Sequence, residues 1–258
     1  KEWQHRIRTG HLPWHLVWES MMMTILKTMQ YPTTATTLSK AQCDKIMSPL
    51  LQAGLPCAGV SRNFPRVLVY GPTKFQGLGV TSLYTTQGLE HIERLLKFGT
   101  SKKHLTGKIL RHSLKALKVE LGTNGSVLSL PYETWSHLAT DSWLKHTWKF
   151  LAEHGMRISD GSADFTLRRE YDSLLMDEFV LAGYTGEMIQ TLNRCRLYLR
   201  VVIMLEVPDG GGSKLRAEVL AGTKPMDASQ YEWPNQGKPT AKSWQIWKNA
   251  LNGLTVRG

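Results

Sequence analysis

Lys108, Arg111, Lys115 and Lys118 recur at intervals of three, four and three residues. That spacing lines four cations along one side of a helix. A row of fixed positive charge is the chemistry that meets a phosphate backbone. Lys102 and Lys103 stand just upstream, while Arg6 and Arg8, close to Trp3, form a second and smaller basic group. All of these side chains are candidate phosphate contacts, which hold a polyanion without reading its sequence. The same pattern also describes a solvated basic face on an ordinary packed helix. A membrane-surface helix fits less well, because the apolar side has Leu but no Trp or Phe.

Other residue groups have side chains of the types that catalysis uses. Asp160, Asp164, Glu170, Asp172, Asp177 and Glu178 are a set that could hold Mg²⁺ for phosphoryl chemistry. Asp172 and Asp177 are five apart on an expected helix and point different ways, beside Arg168 and Arg169, so solvated ion pairs are the favoured reading. His11 and His15 have a zinc-compatible spacing, but Pro13 interrupts it and no Glu follows His11. Gly77-Leu78-Gly79 is half of a dinucleotide fingerprint with no clear strand before it or helix after it. Pro208-Asp209 with Glu218 has part of a nuclease pattern, with Leu220 where that pattern needs Lys. No nucleophile elbow and no Cys with an orienting His is present. Nothing in the chain assembles a catalytic centre or calls for a cofactor.

The elements that must position the cations follow from apolar spacing. Leu110, Leu114, Leu117 and Leu121 line one face of a helix ending at Gly122, with the cations about 110° round at about 100° per residue. Upstream, Trp14 to Met29 form a helical stripe that starts at Pro13 and ends at Tyr31-Pro32. Ser39 with Gln42 has capping-box form for a helix to Leu51. Residues 54–84 are loop-rich, with a short strand expected at Val67–Tyr70. A further helix runs from Thr85 or Thr86 to Phe98. Downstream, an extended piece is expected at Val127–Leu130. Helices are expected from Asp141 or Ser142 to His154, over Tyr171–Leu181, from Gly186 to about Leu205, and over Lys242–Leu251. A small hairpin is expected about Asp209–Gly212, with Leu215–Leu220 pairing back. The expected fold is mainly α, a helical bundle with a few short strands, in two regions, 1–122 and 123–258. Trp233, Trp244 and Trp247 crowd a Pro-rich tail that either docks on the core or stacks on bases.

Composition bounds the partners. The 258 residues carry a net charge of +11, with 41% hydrophobic and 21% charged residues, which is globular and basic. Three widely spaced cysteines suit a reducing, intracellular compartment, nucleus or cytoplasm. No apolar run reaches membrane-span length, so a membrane partner is not expected. The ends read as cuts in a longer polypeptide.

Several blocks in order resemble the region downstream of the polymerase palm in reverse transcriptases of non-LTR-type retroelements. They are Tyr31-Pro32 leading to Leu38–Cys43, Pro65–Pro72 with Gln76–Val80, Leu83–Gly88, Leu192–Leu199, and Trp233-Pro234-x-Gln236 with Trp244-x-x-Trp247. The resemblance implies RNA-directed DNA synthesis by the parent protein and a thumb-like character for this bundle. It also implies a template–primer duplex of RNA or DNA as ligand, and the polymerase domain of the same polypeptide as partner. That family holds Mg²⁺ in its palm on a pair of adjacent aspartates, and no Asp-Asp pair occurs here. This piece is therefore expected to bind without catalysing and to carry no cofactor of its own. The alternative is a protein-interaction or scaffold domain with a solvated basic face.

Overall fold

The computed structural model describes residues 2–10, 12–99, 101, 103–159, 161, 164–209, 214–223 and 231–255. They form a mainly helical chain that divides into two compact units, Lys1–Lys97 and Phe98–Gly258. The division falls ahead of the basic helix, not at residue 122, where Gly122 is only a helix stop inside the second unit.

The first unit contains α1 (Glu2–Thr9), α2 (Trp14–Ser20), α3 (Leu26–Gln30), α4 (Lys40–Cys57), α5 (Arg66–Tyr70) and α6 (Leu83–Phe98). Helices α2 and α3 are one helical run joined by a π-turn at Met21–Ile25. The run lays Met21 against Gly54 of α4, where a Cβ would come within 2.4 Å of the Met21 sulfur. Met21, Leu26, Cys43, Met47, Leu50, Leu51, Leu55, Val69, Val80 and Leu83 form the core. The capping box at Ser39 forms in both directions, Gln42 N–H donating to Ser39 Oγ at 3.3 Å and Ser39 N–H to Gln42 Oε1 at 2.8 Å. Helix α4 runs on past Leu51 to Cys57, through Pro49 and Pro56, because burial of Leu50, Leu51 and Leu55 outweighs two lost backbone bonds. Buried Gln87 of α6 acts as a surrogate strand. Its amide accepts from Leu38 N–H at 3.1 Å and donates to Leu38 C=O at 2.9 Å.

Val67–Tyr70 is not a strand. Pro65 opens a helical turn whose carbonyl accepts from Leu68 and Val69 N–H, each at 3.0 Å, and α5 results. β-branched residues between Pro and Gly, with no neighbouring strand to pair with, close on themselves.

The second unit contains α7 (Leu105–Leu121), α8 (Tyr132–Trp135), α9 (Trp143–Glu153), α10 (Leu175–Leu181), α11 (Gly186–Leu199), α12 (Ala217–Ala221) and α13 (Ala241–Thr255). Helix α11 packs on α7 and α13, and α13 also packs on α10 and α12. The tail tryptophans Trp244 and Trp247 are core residues. Trp247 is fully buried, donates through Nε1 to Val219 C=O at 3.0 Å and meets the Phe179 ring edge-on at 5.8 Å. Ser142, rather than Asp141, caps α9 through its hydroxyl.

Extended pairing among the described residues is limited to two isolated bridges, Leu174 with Ile203 and Pro208 with Leu215. Val127–Ser129 is a 3-10 turn, not a strand. Of the expected hairpin, Gly210–Gly212 lies outside the described residues, and Leu215 bridges Pro208 before the chain coils into α12. The helix expected from Tyr171 begins only at Leu175, because Asp172 spends its carboxylate on the N–H groups of Ser173 and Leu205. Helix α11 stops at Leu199, where Arg200 turns left-handed at φ 58°.

One side chain ties α7 to α11. Arg196 is completely buried in the core register of α11, beside Leu192, Asn193 and Leu199. Its Nη2 donates to Val119 C=O at 2.7 Å and Glu120 C=O at 2.9 Å, and its Nε to Asn193 Oδ1 at 2.9 Å. Asn193 Nδ2 donates to Glu120 C=O at 2.9 Å. The guanidinium therefore sits on the negative end of the α7 dipole and satisfies its last carbonyls. Burial pushes its pKa down to about 9, opposed by the charges of Glu120 and Glu206, so it stays cationic at neutral pH. Gly122 supplies the left-handed turn at φ 72°, and a Cβ there would lie 2.7 Å from the guanidinium carbon. Arg196→Met strands the Val119 carbonyl, leaves the Glu120 carbonyl with Asn193 as its side-chain donor, and should cost about 3 kcal/mol in urea unfolding. Gly122→Ala, strained by both φ and contact, should cost about 2 kcal/mol.

Candidate nucleic-acid interface

The leucine half of the α7 pattern is realised as expected. Leu110, Leu114, Leu117 and Leu121 are buried, and Lys108 and Lys115 are exposed. Lys103 is exposed in the turn before the helix. Lys108 and Lys115 stand two turns apart, about 10.5 Å along the axis at 1.5 Å per residue.

Lys118 departs from the expected ladder. It is only 3% exposed, and its ammonium donates to Asp164 Oδ1 at 2.7 Å and lies 5.9 Å from the centre of the Phe165 ring. A polyanion has no access to it, and its charge is already met. The cause is helical geometry. Over the ten residues from Lys108 to Lys118 the direction falls short of whole turns by about 80°, which swings the last cation toward the leucine face. Arg111 is intermediate for the same reason. It is half-buried and donates to the Ser101 carbonyl, one turn from Gly107, which the Phe98 and Ser101 carbonyls approach too closely for any Cβ. Among the described residues the row is thus two open lysines on the helix and one ahead of it, with Arg111 and Lys118 turned aside.

The remaining expected contacts divide in the same way. Lys102 lies outside the described residues. Arg6 is exposed but pairs with Glu2 at 2.6 Å within α1. Arg8 lies in the same helix, and its side chain is outside the described residues. His112, between the open lysines, meets Glu232 of the tail at 2.9 Å, with both side chains exposed.

Asp164, Asp172 and Asp177, three of the possible Mg²⁺ ligands, are engaged with the backbone and neighbouring side chains, as is Glu206, which lies outside that set. Asp164 Oδ1 accepts from Lys118 and from Gly125 N–H at 2.8 Å, and Asp177 Oδ1 from the Thr123 hydroxyl at 2.7 Å. Glu206 accepts from Val202 and Ile203 N–H at 2.6 and 3.2 Å, and Arg168 reaches it at 3.5 Å. Asp160 and His11 lie outside the described residues. Among the described residues no three His, Cys, Asp or Glu side chains converge as metal ligands. The N–H groups of Gly77, Leu78, Gly79 and Val80 all donate to carbonyls of residues 68–72, so the partial glycine motif offers no free amides to a phosphate. No helix among the described residues is long and apolar enough to cross a membrane.

Arg196 and Asn193 were not singled out as structural residues from the sequence. The signal was their register: with Ile189 and Leu192 they occupy the i, i+3, i+4, i+7 positions of an inward face.

The Lys118 ammonium and the Gly125 amide hold the Asp164 carboxyl below its ordinary 3.8. A folded-state pKa below the unfolded one means that the ionised carboxylate stabilises the fold. That contribution is complete above the unfolded pKa and is lost as pH falls through the lowered folded value. Asp164→Asn should therefore lower thermal stability at neutral pH and flatten its decline below about pH 4, as read by melting curves across pH.

Comparison of the chain with protein-family models, with curated proteins and with solved structures finds no match.

Proposed function

We propose that this chain is a non-catalytic, nucleic-acid-gripping part of a retroelement reverse transcriptase, holding the template–primer duplex by its phosphates. The observation that carries the reading is the pair of open lysines, Lys108 and Lys115, on a helix whose other side is packed leucine, with exposed Lys103 just ahead of it. A rigid helix anchored at its C-terminal end by Arg196 keeps such charges in fixed relative positions, which suits a regular polyanion. The parent activity, RNA-directed DNA synthesis, is supported by the ordered blocks of sequence resemblance. Mg²⁺ belongs to the polymerase palm of that parent.

A second reading, a protein-interaction domain, draws on the His112–Glu232 pair, in which a carboxylate of the tail already lies on the basic face. An acidic partner would meet the same lysines.

Affinity for a short RNA–DNA or DNA duplex, measured against salt in gel-shift titrations, separates the two. Three neutralised phosphates predict a log–log slope near −2.7, and Lys108→Gln with Lys115→Gln should reduce its magnitude by about 1.8. Lys118→Gln should lower stability and leave the slope as it is, because that ammonium faces Asp164. A slope unmoved by the double substitution removes α7 from the interface.

A further inference from the structure

From Lys45 to Leu89 the chain carries Lys45, Arg62, Arg66 and Lys74 and no Asp or Glu. The centre of this stretch is a loop closed on its own backbone. Leu78 N–H donates to Leu68 C=O at 2.9 Å, Gly79 to Gly71 at 2.9 Å, and Val80 to Val69 at 3.1 Å. Gly77 lies against Gly71 so closely that a Cβ would fall 2.1 Å from its carbonyl oxygen. Gly77 N–H also returns to Pro72 C=O at 3.1 Å, and Gln76 turns left-handed at φ 64° to allow it. Val69 and Val80 bury themselves beneath the loop in the core of the first unit.

This closure holds outward what a soluble domain ordinarily hides. Phe75 is 71% exposed at the tip, and Val67 is 83% exposed on α5. The Lys74 ammonium lies 4.8 Å from the centre of the Phe75 ring. Arg62, Arg66 and Lys74 are all exposed. The charge of Asp44 is felt at Tyr70, where Arg66 opposes it. An aromatic face on a rigid support, with cations along the same segment, is the combination that binds an unpaired base and its phosphate. The ring stacks on the base, and the cation meets the backbone.

We infer that the loop 71–79 is a binding site for single-stranded nucleic acid, with Phe75 stacking on one unpaired base and Lys74 contacting the adjoining phosphate. Stacking needs no particular base, because every base has a π-face, so the site is tolerant of sequence. The inference rests on the nucleic-acid part of the proposed function but uses different residues and a different form of the ligand.

The test uses the whole chain with two probes, a fluorescently labelled oligo(dT) of about 12 nucleotides and a blunt DNA duplex. Phe75→Ala and Phe75→Leu should each weaken oligo(dT) binding about tenfold without changing its salt slope, and Phe75→Tyr should restore it. Lys74→Gln should instead reduce the magnitude of that slope by about 0.7. A 5-iodouracil-substituted oligo(dT) should cross-link to Phe75. Oligo(dT) binding that is unchanged in both Phe75→Ala and Phe75→Leu, or a cross-link that maps outside residues 71–79, overturns the inference, as does a preference of the loop for a protein partner alone. Duplex binding that depends on Lys108 and Lys115 but not on Phe75 separates the two sites. With duplex binding absent and oligo(dT) binding lost in Phe75→Ala, the loop site stands and the duplex grip falls.

Discussion

The second unit depends on a buried positive charge whose hydrogen bonds go to backbone carbonyls and the Asn193 amide, with the charges of Glu120 and Glu206 near it. Arg196 gives up water entirely and takes backbone carbonyls in exchange, those at the end of α7 above all. Burying an ion costs several kcal/mol unless its donors are filled, so the arrangement is stable only while Asn193, Val119, Glu120 and Val201 all hold their positions. The constraint runs in both directions. Helix α7 needs a donor for its last carbonyls, and Arg196 needs acceptors in a place without water. Gly122 is the backbone that lets the two meet.

That anchoring gives the open lysines their meaning. Charges on a helix frayed at one end would sample many arrangements, and each phosphate contact would carry an ordering cost. Here the Asn193–Arg196 pair holds one end of α7, and the Phe98 and Ser101 carbonyls pack on Gly107 near the other. The cations nearest the core are consumed in this work: Lys118 by Asp164, and Arg111 by the Ser101 carbonyl. Basic residues on one helix therefore divide into those that build the fold and those left to meet a partner. The division follows the angle each makes with the buried leucines.

The first unit reaches a similar end by different means. Its loop at 71–79 is stabilised by backbone bonds and by the lack of side chains at Gly71 and Gly77 rather than by an ion. The result is again a rigid support that presents a cation, here beside an exposed aromatic ring. Neither 102–118 nor 45–89 contains Asp or Glu, so the carboxylates that meet α7, Asp164 and Glu232, come from elsewhere in the chain.

Local pattern was enough to read the helices with strong apolar spacing, the capping box at Ser39, the stop at Gly122 and the inward leucines of α7, because these depend on residues within a turn or two of one another. It was enough, too, to mark the stretch from Lys102 to Lys118 as basic. It misjudged Val67–Tyr70 and Val127–Ser129, where β-branched or apolar runs coiled instead, and of Leu215–Leu220 only the start pairs back, on Pro208, before the chain turns helical at Ala217. Which cations face water was decided only by the tertiary structure. The Asp that neutralises Lys118 is 46 residues away, and the carbonyls that hold Arg196 are 76 and 77 away. No spacing rule reaches that far: charge along a helix is written in the sequence, but its availability is set by what the fold brings up against it.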